Sequence, residues 1–254
     1  MTGEEYLRQI LGNYKPTELT ASHVNEISRL IRDLVKTWAV GSWLNDVYPS
    51  GSFAKGTAVR GSTDLDLFVS FHPDTPGNLK ELYSGLFSHF ASSDFHPRIQ
   101  NVSFRIVIAQ LKMDIIPGRK QSGSTNDHSL YRTKLDSWTQ TNVQAHIDLV
   151  RSSSRTEEIR LAKIWRDLHS LELSSFLLEL CVLEAVRGAP KGDLGRNFNS
   201  VFAYLKDTFP AARITDPSNS NNVVSDELTN VEKATISREA GKAFAEQSWT
   251  RVVW

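Results

Sequence analysis

The chain reads as an α+β protein in which a sheet-bearing first part, residues 1–138, is followed by a mostly helical second part, residues 139–254. Three observations predict this. An early run has apolar residues at helical spacing, the segments after it are β-rich and bounded by turn signals, and from about Thr139 the apolar spacing is helical almost throughout. A length of 254 residues allows one compact fold or two packed lobes, and 40% hydrophobic with 23% charged residues lies in the ordinary globular range, which excludes long-range disorder.

From Ser22 to Trp38, Val24, Ile27, Leu30, Ile31, Leu34, Val35 and Trp38 share one helical face, so this helix is expected to pack on a sheet, with packing on the second part as the alternative. Asp46 to Ser50 is short and β-prone, runs into Gly51-Ser52, and is followed by a brief helix expected over Phe53 to Ala58. Asp64 to Phe71 alternates as a strand should, which puts Asp64 and Asp66 on one face and Leu65, Leu67 and Val69 on the other. Pro76-Gly77 breaks the chain, Leu79 to Phe90 has helical spacing, and Val102 to Leu111 is rich in Val, Ile and Phe. Lys112 to Pro117 extends as a further strand carrying Asp114, closed by Pro117-Gly118, before the polar turn Ser122 to Asn126. Helices are then predicted over Thr139 to Arg151, Arg155 to His169, Ser174 to Arg187 and Phe198 to Phe209; a concentrated turn signal covers 214–222, and a last helix runs from Asp226 to Glu246.

Several function classes fall away on composition. Twenty-nine basic and twenty-nine acidic residues cancel, so no general positive field holds long nucleic acid, although a local basic groove is compatible. The single cysteine, Cys181, excludes an intramolecular disulfide and a cysteine-based zinc cluster; in its apolar helical run it is expected to be buried and inert. The start, MTGEEYLRQI, lacks a leader's apolar segment, and no stretch approaches the roughly eighteen apolar residues of a membrane span, so the expectation is a cytoplasmic protein with no membrane partner.

The chemistry concentrates in Gly51-Ser52, then, after eleven intervening residues, Asp64-Leu65-Asp66, and then Asp114. Taken singly, a Gly-Ser pair is most often a turn and an Asp-x-Asp a solvated strand face. Together they predict three carboxylates on one sheet face, where mutual repulsion calls for a cation. Mg²⁺ takes oxygen ligands and shares them with substrate phosphates, and two such ions roughly 3.5–4 Å apart suit an in-line displacement at phosphorus. Gly51-Ser52 supplies the complementary feature, a turn where backbone and hydroxyl approach phosphate closely.

This order resembles the nucleotidyltransferase superfamily of the DNA polymerase β type, with Ser50-Gly51-Ser52-Phe53-Ala54-Lys55-Gly56-Thr57 and Thr63-Asp64-Leu65-Asp66 as the matching segments. Within it the chain is most similar to the group containing oligoadenylate synthases, cyclic GMP-AMP synthase, the bacterial cyclic-oligonucleotide synthases and archaeal CCA-adding enzymes. Arg160 to Trp165, Leu173 to Leu180, Thr215 to Asn219 and Asn221 to Val223 carry that closer likeness, which spans about residues 45 to 246. The resemblance implies a mixed-sheet catalytic lobe packed on a helical lobe. It further implies that Asp64, Asp66 and Asp114 hold two Mg²⁺ ions, with Mn²⁺ as a substitute, and that Asp114 helps to deprotonate an attacking hydroxyl. Gly51 and Ser52 would hold the triphosphate, Lys163 and Ser175 would touch phosphate, and Phe176 would stack on a base. Without the resemblance Lys163 reads as a surface lysine, Phe176 as core and Ser175 as a helix-start residue. Thr57 either lines the phosphate pocket or caps a short helix.

The activity so implied is transfer of a nucleotide from a nucleoside triphosphate, ATP among them, to a ribose hydroxyl with release of pyrophosphate. The expected product is a linear or cyclic oligonucleotide messenger of antiphage signalling, and a regulatory protein partner is compatible with it though not legible in the sequence. The alternative is nucleotide addition to an RNA or tRNA 3′ end. A third reading, a non-catalytic nucleotide-binding scaffold, gives no reason to crowd three carboxylates.

Overall fold

The computed structural model describes residues 1–16, 20–61 and 64–254. In chain order the first elements are α1 (Gly3–Asn13), α2 (Ala21–Lys36), β1 (Leu44–Pro49), α3 (Gly51–Lys55), β2 (Leu65–Phe71), α4 (Leu79–Ser92), β3 (Arg98–Ile99), β4 (Phe104–Ile108) and β5 (Leu111–Lys120). There follow β6 (His128–Arg132), β7 (Ser137–Thr141), α5 (Val143–Ser153), α6 (Thr156–Leu168), α7 (Ser175–Ala185), α8 (Leu194–Asp207), β8 (Thr215–Asp216), β9 (Asn219–Val223) and α9 (Asn230–Ala245). They form two compact units: Thr17–Ala54 with Asp64–Ile147, and Met1–Pro16 with Lys55–Thr63 and Asp148–Trp254.

The first unit is built on a mixed sheet in the order β1-β2-β5-β4-β3, with β6 paired to the far end of β5 and β7 to β6. β2 and β5 run parallel, while the other neighbouring strands are antiparallel. Leu65, Leu67, Val69 and Phe71 of β2 point to one side, as their spacing predicts, and lie fully buried with Phe104, Ile106, Met113 and Ile115. Val24, Ile31 and Val35 of α2 and Leu82, Leu86 and Phe90 of α4 cover them in one core cluster. Each such side chain contributes on the order of 1.5–3 kcal/mol by leaving water. α4 starts where a capping box dictates: the Asn78 side chain accepts from the Glu81 N–H and the Glu81 carboxylate accepts from the Asn78 N–H.

Two expectations for this unit need correcting. Pro117-Gly118 does not close a strand, because β5 continues to Lys120. β4 pairs with β5 only as far as Ile115 and β6 only from Arg119, so Pro117 falls in the gap between them and has a strand neighbour only on the β2 side, opposite Val69. Gly118 is needed at the same place, since a Cβ there would lie 2.4 Å from the Phe68 ring. The segment from Thr139 does not start a helix either; Ser137–Thr141 is strand β7, paired with β6, and α5 begins at Val143. Cross-strand pairing overrides the weak helical spacing of those residues.

The second unit is helical. Trp165 of α6, Leu177, Leu178 and Cys181 of α7, and Phe198 and Phe202 of α8 pack with Leu7 and Ile10 of α1 and Ile236 of α9. α1 was not expected, although Thr2 and Glu5 form a complete capping box at its start. α8 starts one turn earlier than expected because Asp193 accepts from the Arg196 N–H, and α9 starts later, at the Thr229–Glu232 capping box. The 214–222 turn signal is the hairpin β8–β9, in which Asp216 Oδ1 accepts from the backbone N–H and the hydroxyl of Ser218. Cys181 is buried as expected, and burial raises its thiol well above the ordinary value. Among the described residues no helix is long and apolar enough to cross a membrane.

Candidate active site

The carboxylate face arises from period two. With Leu65 and Leu67 committed to the core, Asp66 points to the opposite side of the sheet, and Asp64 stands immediately before β2. The parallel register sets Asp66 directly beside Asp114, so the two expected partners come from neighbouring strands at the same level. Thr63, the first residue of the motif, lies outside the described residues.

The Gly-Ser turn is tied to the same strand. The Ser50 N–H donates to the Asp66 carbonyl over 2.8 Å, and Gly51 opens α3 with φ +56°. A Cβ on Gly51 would lie 1.7 Å from Asp66 Oδ2, so only glycine lets the turn approach this carboxylate. Gly51→Ala is therefore expected to displace Asp66, lowering stability by about 1–3 kcal/mol through the strained backbone and slowing turnover roughly a hundredfold. Urea denaturation and initial rates on the same preparation check both parts. Ser52 follows, half-buried, as the second residue of α3.

Arg105, on β4 opposite Asp114, was missed in the sequence. Its Nε and Nη2 donate to Asp114 Oδ1 and Oδ2 at 2.8 and 3.0 Å, and Nη2 also donates to Asp64 Oδ2 at 2.5 Å. Gln100 Nε2 donates to Asp114 Oδ1 at 3.0 Å. Hydrogen bonding to Asp114 raises the Arg105 pKa further above its ordinary value. The signal was available: Phe104 and Ile106 are core, so alternation sends Arg105 to the carboxylate face.

The helical unit gathers the other candidates around a buried acid. Glu179 Oε1 accepts from Lys163 Nζ at 2.7 Å and from the Thr57 hydroxyl at 3.0 Å, and Oε2 accepts from Lys55 Nζ at 2.7 Å. Lys163 also donates to Thr57 Oγ1 at 2.9 Å. Lys163 is no surface lysine, being 2% exposed, and the wholly buried Thr57 spends its hydroxyl in this network and not on a helix cap. Burial lowers the Lys163 pKa against the pull of Glu179, while for Glu179 the raising effect of burial is outweighed by the two ammonium groups. Lys55 Nζ stands 5.0 Å from the centre of the partly buried Phe176 ring. Ser174 caps α7, and Ser175, its first helical residue, accepts from Arg166 Nη1 at 2.9 Å. Lys55 and Glu179 went unassigned in the sequence, although a lone acid inside the apolar run of α7 signals a partnered charge.

A family profile described as a nucleotidyltransferase domain matches residues 27–170, more than half of the chain. The chain belongs to the nucleotidyltransferase domain family. This nucleotidyltransferase is 26% identical to the cyclic AMP-AMP-AMP synthase of Escherichia coli (strain MS 115-1), over 67% of this chain and 63% of that one. The match thus spans less than two thirds of that relative's length. Among solved structures, E. coli MS115-1 CdnC with ATP superimposes with a TM-score of 0.79 at 22% identity, covering 96% of this chain and 90% of that one. The CdnC:HORMA-deltaN complex gives 0.78 at 21% over the same shares. The likeness to polymerase β-type nucleotidyltransferases and bacterial cyclic-oligonucleotide synthases, and the mixed-sheet α+β fold, are borne out.

The carboxylate face suits a hard divalent cation in the chemistry of its donors, which are all carboxylate oxygens, while the Arg105 guanidinium between Asp64 and Asp114 offsets part of their charge. Among the described residues no three acidic, histidine or cysteine side chains are gathered into a ready-made metal cage.

Proposed function

We propose that this nucleotidyltransferase joins a nucleoside triphosphate to a ribose hydroxyl and makes an oligonucleotide second messenger. The observation that carries the reading is the level pairing of Asp66 with Asp114 on parallel strands, beside a glycine turn hydrogen-bonded to the Asp66 carbonyl. Asp64, Asp66 and Asp114 would hold Mg²⁺, which when bound neutralises charge on the phosphoryl oxygens. Gly51 and Ser52 approach the phosphates. The attacking hydroxyl oxygen forms a bond to the α-phosphorus, the bond from the α-phosphorus to the bridging oxygen breaks, pyrophosphate leaves, and the hydroxyl proton passes to water, its loss favoured by the negative charge of Asp114. In the helical unit, two ammonium groups share one carboxylate, so the Lys55–Lys163–Glu179 cluster keeps a surplus positive charge suited to phosphate, with Phe176 beside it as a stacking surface.

Messenger synthesis is favoured by the likeness to a cyclic AMP-AMP-AMP synthase, and a regulatory protein partner by the CdnC:HORMA-deltaN complex. The test is incubation of the purified protein with all four labelled ribonucleoside triphosphates and Mg²⁺ or Mn²⁺, with and without tRNA, followed by mass analysis. Small phosphatase-resistant oligonucleotides without tRNA are expected. Label appearing only on RNA would move the assignment to 3′-end addition.

A further inference from the structure

We propose that Arg105 is a positioning residue with two separable jobs: it clamps Asp114 at all times, and it holds Asp64 only until a divalent cation takes that carboxylate over. The inference rests on the nucleotidyl-transfer reading of the carboxylate face and adds how that face is kept assembled before and during metal loading.

Donor counting separates the two jobs. Three of the five guanidinium N–H groups are engaged on the face, Nε–H and one Nη2–H on Asp114 and the other Nη2–H on Asp64. Asp114 Oδ1 accepts from both Arg105 and Gln100, which fills its two lone pairs, whereas Oδ2 accepts once from Arg105 and keeps one lone pair for a ligand. Asp114 can thus serve a cation through Oδ2 without leaving its clamp.

The backbone makes the same distinction. Asp114 lies within β5, between β2 and β4, with a side chain 13% exposed, and Arg105 faces it from the register position directly across. Asp64 stands outside the ladder, before β2, with a side chain 34% exposed. It can turn, and Asp114 cannot. Before a cation arrives the guanidinium offsets the repulsion of the crowded carboxylates, and once one is bound the same positive charge opposes it at close range.

The probe is Mn²⁺ alone, titrated into the full chain and followed by loss of the free-ion EPR signal. Arg105→Gln is expected to bind Mn²⁺ about tenfold or more tightly than the unaltered protein, because a competing positive charge is gone. Its nucleotidyl transfer is nevertheless expected to fall roughly a hundredfold, since Asp114 loses its orientation. Arg105→Lys keeps the charge but not the fork, so it should bind Mn²⁺ nearly as the unaltered protein does and lose transfer like Arg105→Gln. A folded Arg105→Gln protein that binds Mn²⁺ no more tightly would overturn the proposal. Should that variant not fold, ¹⁵N spectra of the unaltered protein decide: the Arg105 Nε–H must remain protected from exchange as Mg²⁺ is added, and its loss would refute the permanent clamp. If the unaltered protein transfers no nucleotide, the proposed function fails, while the Mn²⁺ comparison still decides the role of Arg105.

Discussion

Changing Asp64 and Asp66 together to asparagine is expected to reduce nucleotidyl transfer by at least about a thousandfold while leaving the chain folded. Each change is isosteric and removes one negative charge, and preorganised electrostatic groups at such centres are commonly worth 10²–10³ in rate apiece. The scaffold has little reason to respond. The Ser50 N–H bonds to the backbone carbonyl of residue 66, the core face of β2 is made by Leu65, Leu67, Val69 and Phe71, and an asparagine oxygen at position 64 still accepts from Arg105. Pyrophosphate release measures the first part and thermal unfolding the second. Undiminished release from a pure, folded double variant would contradict the assignment of these carboxylates.

Glu179→Ala is expected to give the largest loss of stability. It strips the counter-charge from Lys163 and Lys55, whose side chains are 2% and 9% exposed, and an uncompensated buried charge of this kind costs about 3–5 kcal/mol. For a chain of this size the unfolding midpoint should fall by roughly 10 °C. The pH dependence carries a sign of its own. The folded Glu179 pKa lies below its ordinary 4.5, so the stability it contributes is complete above that value and is lost as pH falls through the folded one. Lys163 gives a pH slope of the same sign in its own range: burial depresses its folded pKa below 10.5, so between the folded and unfolded values the unfolded chain binds more protons and stability rises with pH. Removing Glu179 depresses it further. The stability deficit of Glu179→Ala should therefore shrink as pH is raised from neutrality towards 10, and a deficit that stays constant would show that lost packing, not stranded charge, sets the cost.

Much of the carboxylate face was legible because strand alternation is a strict rule: once Leu65, Leu67 and Val69 are core, Asp66 must face the other way. What sequence order does not contain is which strand lies beside which. Arg105 has its role because β4 pairs with β5 in the register that sets it opposite Asp114, and Gln100 because it reaches Asp114 from beyond β3. The same limit applies to Lys55 and Glu179, which meet only after the helical unit forms. Helix boundaries were read to within a turn where apolar spacing was strong, as in α2 and α4, and missed where capping decided the start, as in α1, α8 and α9.

The parallel pairing of β2 with β5 also bears on when the chain can act. β2 ends at Phe71 and β5 begins at Leu111, so α4, β3 and β4 must all be threaded before Asp66 meets Asp114. Such non-local pairings form late, because loop closure is paid for in entropy before contacts reward it. A chain emerging from the ribosome, or one partly unfolded, therefore lacks the assembled carboxylate face. On the proposed reading of this face, no half-made copy can make the messenger.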